Sequence, residues 1–210
     1  MNCDLDVTLY LVTDRGGRDD SAFEGIVEKA IRGGATLVQL REKTADSGLF
    51  YKRAQRIKDI TDYYHVPLII NDRVDIMLAV DAAGVHVGQS DMPAAVVRRL
   101  IGPDKILGVS AGSVPEAVRA ENDGADYLGV GAVFHTDTKK DADTISIKDL
   151  IDITHSVRIP VAAIGGIHMD NLNRLSGSGI SGIAVVSALM NAEDPEKAAQ
   201  ALKEKVYGIL

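Results

Sequence analysis

Cysteine is almost absent from this chain. Cys3 stands alone among 210 residues, so neither an internal disulfide nor a cysteine-built metal site is available, and the thiol reads as incidental. Long apolar runs are missing too, since nothing approaches the roughly 18 residues of a membrane-spanning helix. Positive charge is in deficit, with 23 Lys and Arg against 30 Asp and Glu and a formal charge of -7. That balance argues against broad attraction to nucleic acid and leaves room only for a local basic pocket. The opening residues, "MNCDLDVTLYLVTD", place acids where a secretion signal needs basic residues ahead of a long apolar stretch. No linker, low-complexity tract or shift in composition marks a second domain. These absences lead to the expectation of one soluble, cytoplasmic domain spanning residues 1–210, with neither nucleic acid nor membrane among its partners.

What is present is an ordinary globular balance of 46% hydrophobic and 25% charged residues, enough for a sizeable core. Short β-branched runs recur along the chain: "LYLVTD" (9–14), "LVQLRE" (37–42), "LIIN" (68–71), "VHVG" (85–88), "ILGVS" (106–110), "YLGVGAV" (127–133), "VAAIG" (161–165) and "IAVVS" (183–187). Helical spacing fills the intervals. Phe23, Ile26, Val27, Ala30 and Ile31 share one face, with Gly33 and Gly34 as a stop, and Leu49, Phe50, Ile57, Ile60 and Tyr64 repeat the pattern. Further helices are expected from near Pro93, Ser113, Ser146, Asp170 and Asp194, with Ser113 as an N-cap. Eight strands alternating with helices predict an α/β fold, a single-domain (β/α)8 TIM barrel. An open doubly wound sheet permits the same alternation. The count of eight, and the lack of a G-x-G-x-x-G after the first strand, favour the barrel.

The polar residues fall at the strand ends. Gln39, Arg41 and Lys43 are spaced by two, which puts them on one side of an extended segment and Glu42 on the other. In a barrel that side can face the lumen and converge at its mouth; alternatively the charges meet only water. Asn71 and Asp72 follow the third strand and Asp91 follows the fourth. Each Asp alone reads as a helix cap, but as a pair on adjacent strands they could share a cation such as Mg2+. His86 has no second His at metal spacing and reads as a packed or hydrogen-bonded barrel residue. Gly165 and Gly166 after the seventh strand, and the turn after the eighth, lie where barrels often hold phosphate. Their other reading is a tight turn. The stretch "GAVFHTDTKKDADT" (131–144) is either a solvated loop or a cradle for an anion. No Ser-His-Asp set is present, so metal-assisted chemistry on a diphosphate fits better than hydrolysis by an activated side chain.

The segments "VQLREK", "INDRVDI", "GVHVGQSDMP", "GADYLGVGAVF", "TDTKKDA", "AIGGI" and "IAVVSA" resemble, in order, those of the thiamine-phosphate synthase family, from the first strand to the eighth. The resemblance implies a (β/α)8 transferase of thiamine biosynthesis with Mg2+ as cofactor. It would join 4-amino-2-methyl-5-(diphosphooxymethyl)pyrimidine to a 4-methyl-5-(2-phosphoethyl)thiazole, or its carboxylated form, releasing pyrophosphate. It further implies that Gln39, Leu40, Arg41, Glu42, Lys43, Asn71, Ser110 and Lys139 bind the pyrimidine diphosphate, with Arg41, Lys43, Ser110 and Lys139 as the catalytic set. Asp72 and Asp91 would hold the metal. Thr136, Asp137, Thr138, Gly166, Val186 and Ser187 would bind the thiazole phosphate, while Lys140 and Asp143 stay solvated. The chain departs from the family pattern at Ala132 and His135, where Pro is common, and at Gly112. Loss of Pro implies a loop less restricted before substrate binds.

Two other readings share the barrel. A thiazole tautomerase-like relative keeps the thiazole-phosphate site but resembles this chain less at the diphosphate and metal positions, and Ala132 stands where it would place its His. A non-catalytic phosphate sensor needs only one anion site and would have no use for the acidic pair. Apolar residues on the outer helices suggest a homo-oligomer without locating its face. "RGGRDD" (15–20) is unusually charged and is assigned no role.

Overall fold

Strict alternation along short strands separates two apolar populations, and a closed sheet is the architecture that buries both. The computed structural model describes residues 5–136 and 144–210. Its strands are β1 (Leu9–Val12), β2 (Leu37–Leu40), β3 (Leu68–Asn71), β4 (Gly84–Val87), β5 (Ile106–Ala111), β6 (Tyr127–Val130), β7 (Val161–Ile164) and β8 (Gly182–Val185). All pair in parallel with their sequence neighbours, and β8 pairs with β1 to close the barrel. Leu9, Leu11, Val38, Leu40, Leu68, Ile70 and Val85 point outward into a core shared with the helices. Tyr10, Val12, Leu37, Ile69, Ile106, Tyr127, Ala162 and Ala184 point inward and fill the lumen. The lumen is a packed core, not a pore.

The helices are α1 (Asp20–Arg32), α2 (Ser47–Tyr63), α3 (Val74–Ala79), α4 (Ala94–Ile101), α5 (Val114–Asn122), α6 (Ile147–Ser156), α7 (Ser187–Met190) and α8 (Pro195–Tyr207). Asp19, Asp46 and Asp194 cap α1, α2 and α8 through their side chains, and Ser146 with Asp149 forms a reciprocal capping box on α6. Ser113 stands at the expected N-cap of α5 but makes no side-chain cap bond. Glu116 instead reaches back to the Gly112 N–H at 2.7 Å. The helix expected from Asp170 is a single 3-10 turn, Leu172–Leu175. Ser176 leaves helical geometry, and Gly177 and Gly179 follow at positive φ, so no second turn propagates. Several expected strands ran too far: Arg41 and Glu42 after β2 and Gly131–Val133 after β6 leave the sheet ladder to build the rim. Among the described residues no helix is long and apolar enough to cross a membrane.

The lumen has room for polar groups because β5 carries glycine where a side chain would otherwise sit. A Cβ on Gly108 would lie 2.2 Å from Tyr127 Cζ and 2.5 Å from His86 Nδ1, with no free space to yield. Gly25 on α1 is the opposite case, with nothing within 4 Å of its added Cβ. Gly108→Ala is therefore expected to destabilise the fold by about 1–3 kcal/mol through overpacking. Gly25→Ala should stabilise it by roughly 0.5–1 kcal/mol through helix propensity. Urea midpoints check both signs; a neutral Gly108→Ala would mean that the lumen is not packed as described.

Candidate active site

A parallel barrel brings every strand's C-terminal end to one rim, so residues far apart in sequence become neighbours there. Gln39 is the inward residue at the end of β2 and is buried. Its Nε2 donates to the Tyr10 hydroxyl. The Tyr10 and Tyr127 hydroxyls are 2.7 Å apart, with the rings edge to face. Tyr127 then meets His86 Nδ1 at 3.0 Å, and His86 Nε2 meets Ser110 Oγ at 2.9 Å. A chain of hydrogen bonds thus runs through the lumen from Gln39 to Ser110, and its Tyr10–Tyr127 and Tyr127–His86 links join strands that do not pair. Burial pushes both phenols well above the ordinary tyrosine range, so they act as neutral hydrogen-bonding groups. Among the described residues no buried side-chain nitrogen or oxygen lacks a partner.

Above this floor lie the charges. Thr13, fully buried after β1, accepts the Arg41 N–H at 3.1 Å and gives its own N–H to Gln39 O at 2.9 Å, fixing the start of the β2 exit. Arg41's guanidinium has no carboxylate partner among the described residues. Lys43 Nζ lies 2.6 Å from Asp72 Oδ2. Asp72 adopts φ 61, a left-handed conformation that Asp tolerates better than most residues, and its N–H donates to His86 O at 2.8 Å. It caps no helix: α3 starts after Arg73 and has no side-chain cap. Asp91 caps none either, because its Oδ2 takes the Gly88 N–H at 2.8 Å while Pro93 opens α4. Desolvation raises the Asp91 carboxyl above the usual range, and the neighbouring Asp72 charge adds to that rise.

Two neighbouring carboxylates, one of them bonded to Lys43, form a negative site that a hard cation would neutralise. No group of three or more His, Cys, Asp or Glu converges anywhere among the described residues. A pair of carboxylates with the remaining positions open to water and phosphate oxygens suits Mg2+ better than a metal enclosed by protein. The donor set fits.

The other half of the rim is main chain. Gly166 has φ 61, and a Cβ there would lie 2.2 Å from His135 O, so only glycine lets the β6 loop close over the β7 turn. That loop is pinned: Val133 N donates to Ile164 O at 3.0 Å, Phe134 N to Gly165 O at 3.1 Å, and the Arg174 guanidinium sits 4.8 Å over the Phe134 ring. Ala132 is buried, and its carbonyl takes the Ile145 N–H at 2.9 Å. Val186 ends the β8 side and Ser187 begins α7, whose first N–H groups have no partner within the helix.

The structure therefore gathers Gln39, Arg41, Lys43, Asn71, Asp72, Asp91, Ser110, Gly166, Val186 and Ser187 at one rim, with Thr136 at the end of the described β6 loop. Asp137, Thr138 and Lys139, like Lys140 and Asp143, lie outside the described residues. Two of the expected binding residues turn their side chains away from the mouth. Leu40 turns its side chain into the outer core, and the Glu42 carboxylate, 3% exposed, is held by Arg15 and Arg53. Alternation sends both away from the mouth, so either could meet a ligand only through its main chain. Sequence reasoning also missed Tyr10, Thr13 and Tyr127. Glycines inside "ILGVS" and "YLGVG" were the available signal, since glycine within a strand marks close approach.

Cations and a carboxylate pair on one side of the rim, and a glycine-lined turn on the other, define a barrel enzyme acting on phosphorylated small molecules. The protein-family model described as thiamine monophosphate synthase matches residues 9–189, from β1 into α7. The chain is 58% identical over 205 residues to the thiamine-phosphate synthase of Clostridium beijerinckii, covering 98% of each. A solved thiamine phosphate pyrophosphorylase from Pyrococcus furiosus superposes with a TM-score of 0.89 at 42% identity, again over 98% of both chains. A geranylgeranylglyceryl phosphate synthase from Thermoplasma acidophilum, 14% identical with a TM-score of 0.70, shares the fold alone. This chain belongs to the thiamine monophosphate synthase family and is an enzyme of the transferase class.

Removing the Tyr127 hydroxyl would deprive both Tyr10 and His86 of a buried partner. Tyr127→Phe is expected to cost about 1–3 kcal/mol. Tyr63→Phe, at a position 77% exposed, should stay within about 0.5 kcal/mol. Equal urea midpoints for the two variants would rule out the hydrogen-bond chain as a contributor to stability.

Proposed function

We propose that this enzyme transfers the pyrimidinylmethyl group of 4-amino-2-methyl-5-(diphosphooxymethyl)pyrimidine to the nitrogen of a 4-methyl-5-(2-phosphoethyl)thiazole, or of its carboxylated form, releasing pyrophosphate and, from the carboxylated form, CO2 as well. The observation that carries the reading is the Lys43–Asp72 contact, which sets a cation and an acid pair on adjacent strand ends beside Arg41, whose guanidinium has no carboxylate partner among the described residues. Arg41, Lys43 and Lys139 would take the diphosphate. Gln39, Asn71 and Ser110 would orient the pyrimidine, with Gln39 and Ser110 already fixed by the lumen chain. Thr136, Asp137, Thr138, Gly166, Val186 and Ser187 would seat the thiazole phosphate. Asp72 and Asp91 would hold Mg2+, which when bound neutralises charge on the leaving diphosphate.

The bond between the pyrimidine methylene carbon and the diphosphate oxygen breaks first, and its electron pair leaves with pyrophosphate. The cation that remains, stabilised by the aminopyrimidine ring, is attacked by the thiazole nitrogen lone pair. That nitrogen carries no proton, so no side-chain base is needed. The protein's work is to orient the two partners and to place positive groups where charge develops. The tautomerase-like reading is disfavoured by the acid pair and by Ala132, which is buried and has no acid–base group.

Incubation with both substrates and Mg2+ is expected to give thiamine phosphate, read by mass; no product with any divalent metal would sink the reading. Asp72→Asn and Asp91→Asn should each lower turnover by at least about tenfold, with partial recovery at raised Mg2+. Unchanged turnover in both would remove the metal from the assignment.

A further inference from the structure

The charged stretch after β1, "RGGRDD", has no role in the reaction as described, yet each of its charges has a partner. Arg15 lies over the buried Phe23 ring, 4.2 Å from its centroid. Its Nε donates to Glu42 Oε1 at 2.9 Å, and its Nη1 to Asp20 Oδ1 at 2.9 Å. Glu42 also accepts from Arg53 Nη1 at 3.0 Å. Since Glu42 stands between Arg41 and Lys43, fixing it fixes the direction in which both neighbours leave the strand. Arg18 reaches the other way. Its Nη2 donates to Met190 O and to Asn191 Oδ1, each at 2.8 Å, while its Nη1 returns to Arg15 O at 3.0 Å. Met190 closes α7, the segment that begins at the Val186–Ser187 turn. Gly16 and Gly17, at φ 54 and 79, reverse the chain between the two arginines, and Asp19 caps α1.

We infer that residues 15–18 are a positioning clasp for the two substrates. Arg15, through Glu42, holds the strand end that presents Arg41 and Lys43 to the diphosphate. Arg18, through Met190 and Asn191, holds the segment that presents Val186 and Ser187 to the thiazole phosphate. One loop serves both sides because β1 lies between β8 and β2 in the closed barrel. Neither arginine touches substrate, since the guanidinium groups are engaged by protein acceptors. The inference rests on the synthase reading and adds to it two positioning residues.

The test is steady-state kinetics of Arg15→Gln and Arg18→Gln in the full chain, with the KM of each substrate measured separately. Arg18→Gln should raise the thiazole-phosphate KM about tenfold and leave the pyrimidine-diphosphate KM within about twofold; Arg15→Gln should do the reverse. Arg18→Lys and Arg15→Lys, which keep a donor and a charge, should each recover part of the loss. Two KM values that rise together, or that both stay unchanged, would overturn the clasp. If Arg15→Gln fails to fold, the Arg18 arm decides, because Arg18 neutralises no buried carboxylate. A wild-type chain without product would sink the synthase reading instead. The clasp is then read from thermal shifts: Arg18→Gln must weaken the shift given by inorganic phosphate, and Arg15→Gln that given by pyrophosphate. No selective loss there would end it.

Discussion

The hydrogen bond between the Tyr10 and Tyr127 hydroxyls joins strands that do not pair, in a lumen whose other apolar residues are aliphatic. A polar group in that position must be satisfied within the protein, because no water replaces a missing partner without cost. The requirement propagates outward: Tyr10 takes Gln39, Tyr127 takes His86, and His86 takes Ser110. Gly108 is the geometric condition for it, as any side chain there would collide with the phenol and the imidazole. The floor of the rim is held together by this network of satisfied polar groups.

On that floor the charges divide into groups that satisfy one another and groups that do not. Glu42, Arg15, Arg53 and Asp20, with Arg56 on the outside, pair with one another behind β2, so their charge is spent on architecture. Among the described residues Arg41 has no carboxylate partner, and Lys43 alone faces the Asp72–Asp91 pair. Two adjacent carboxylates repel each other and suit a metal, and a neighbouring cation suits phosphate, so the arrangement fits a ligand that brings phosphate and a metal together. The chain carries -7 overall, so this local arrangement, not net charge, is what could draw an anionic substrate.

Much of this was legible in the linear sequence. Period-two spacing placed Gln39 inward and Glu42 outward, and the strand count pointed to the barrel. Strand lengths were overestimated because β-branched and polar residues continue past the point where the ladder stops, as at Arg41 and Gly131. The helix expected from Asp170 failed because local propensity does not show where Gly177 and Gly179 adopt positive φ. Asp72 and Asp91 were ambiguous between cap and ligand, since the same side chain serves both and only its neighbours decide.

The sequence by itself determined the period, the number of strands and the chemical types of side chain at the rim, because these depend on residues a few positions apart. Only the tertiary structure decided which charges are spent and which remain. Lys43 meets Asp72, 29 residues away, because β2 pairs with β3, and Arg18 meets Met190, 172 residues away, because β8 returns to lie beside β1. No local pattern encodes such pairs, since a contact made by strand pairing across a helix or by ring closure leaves no period in the chain.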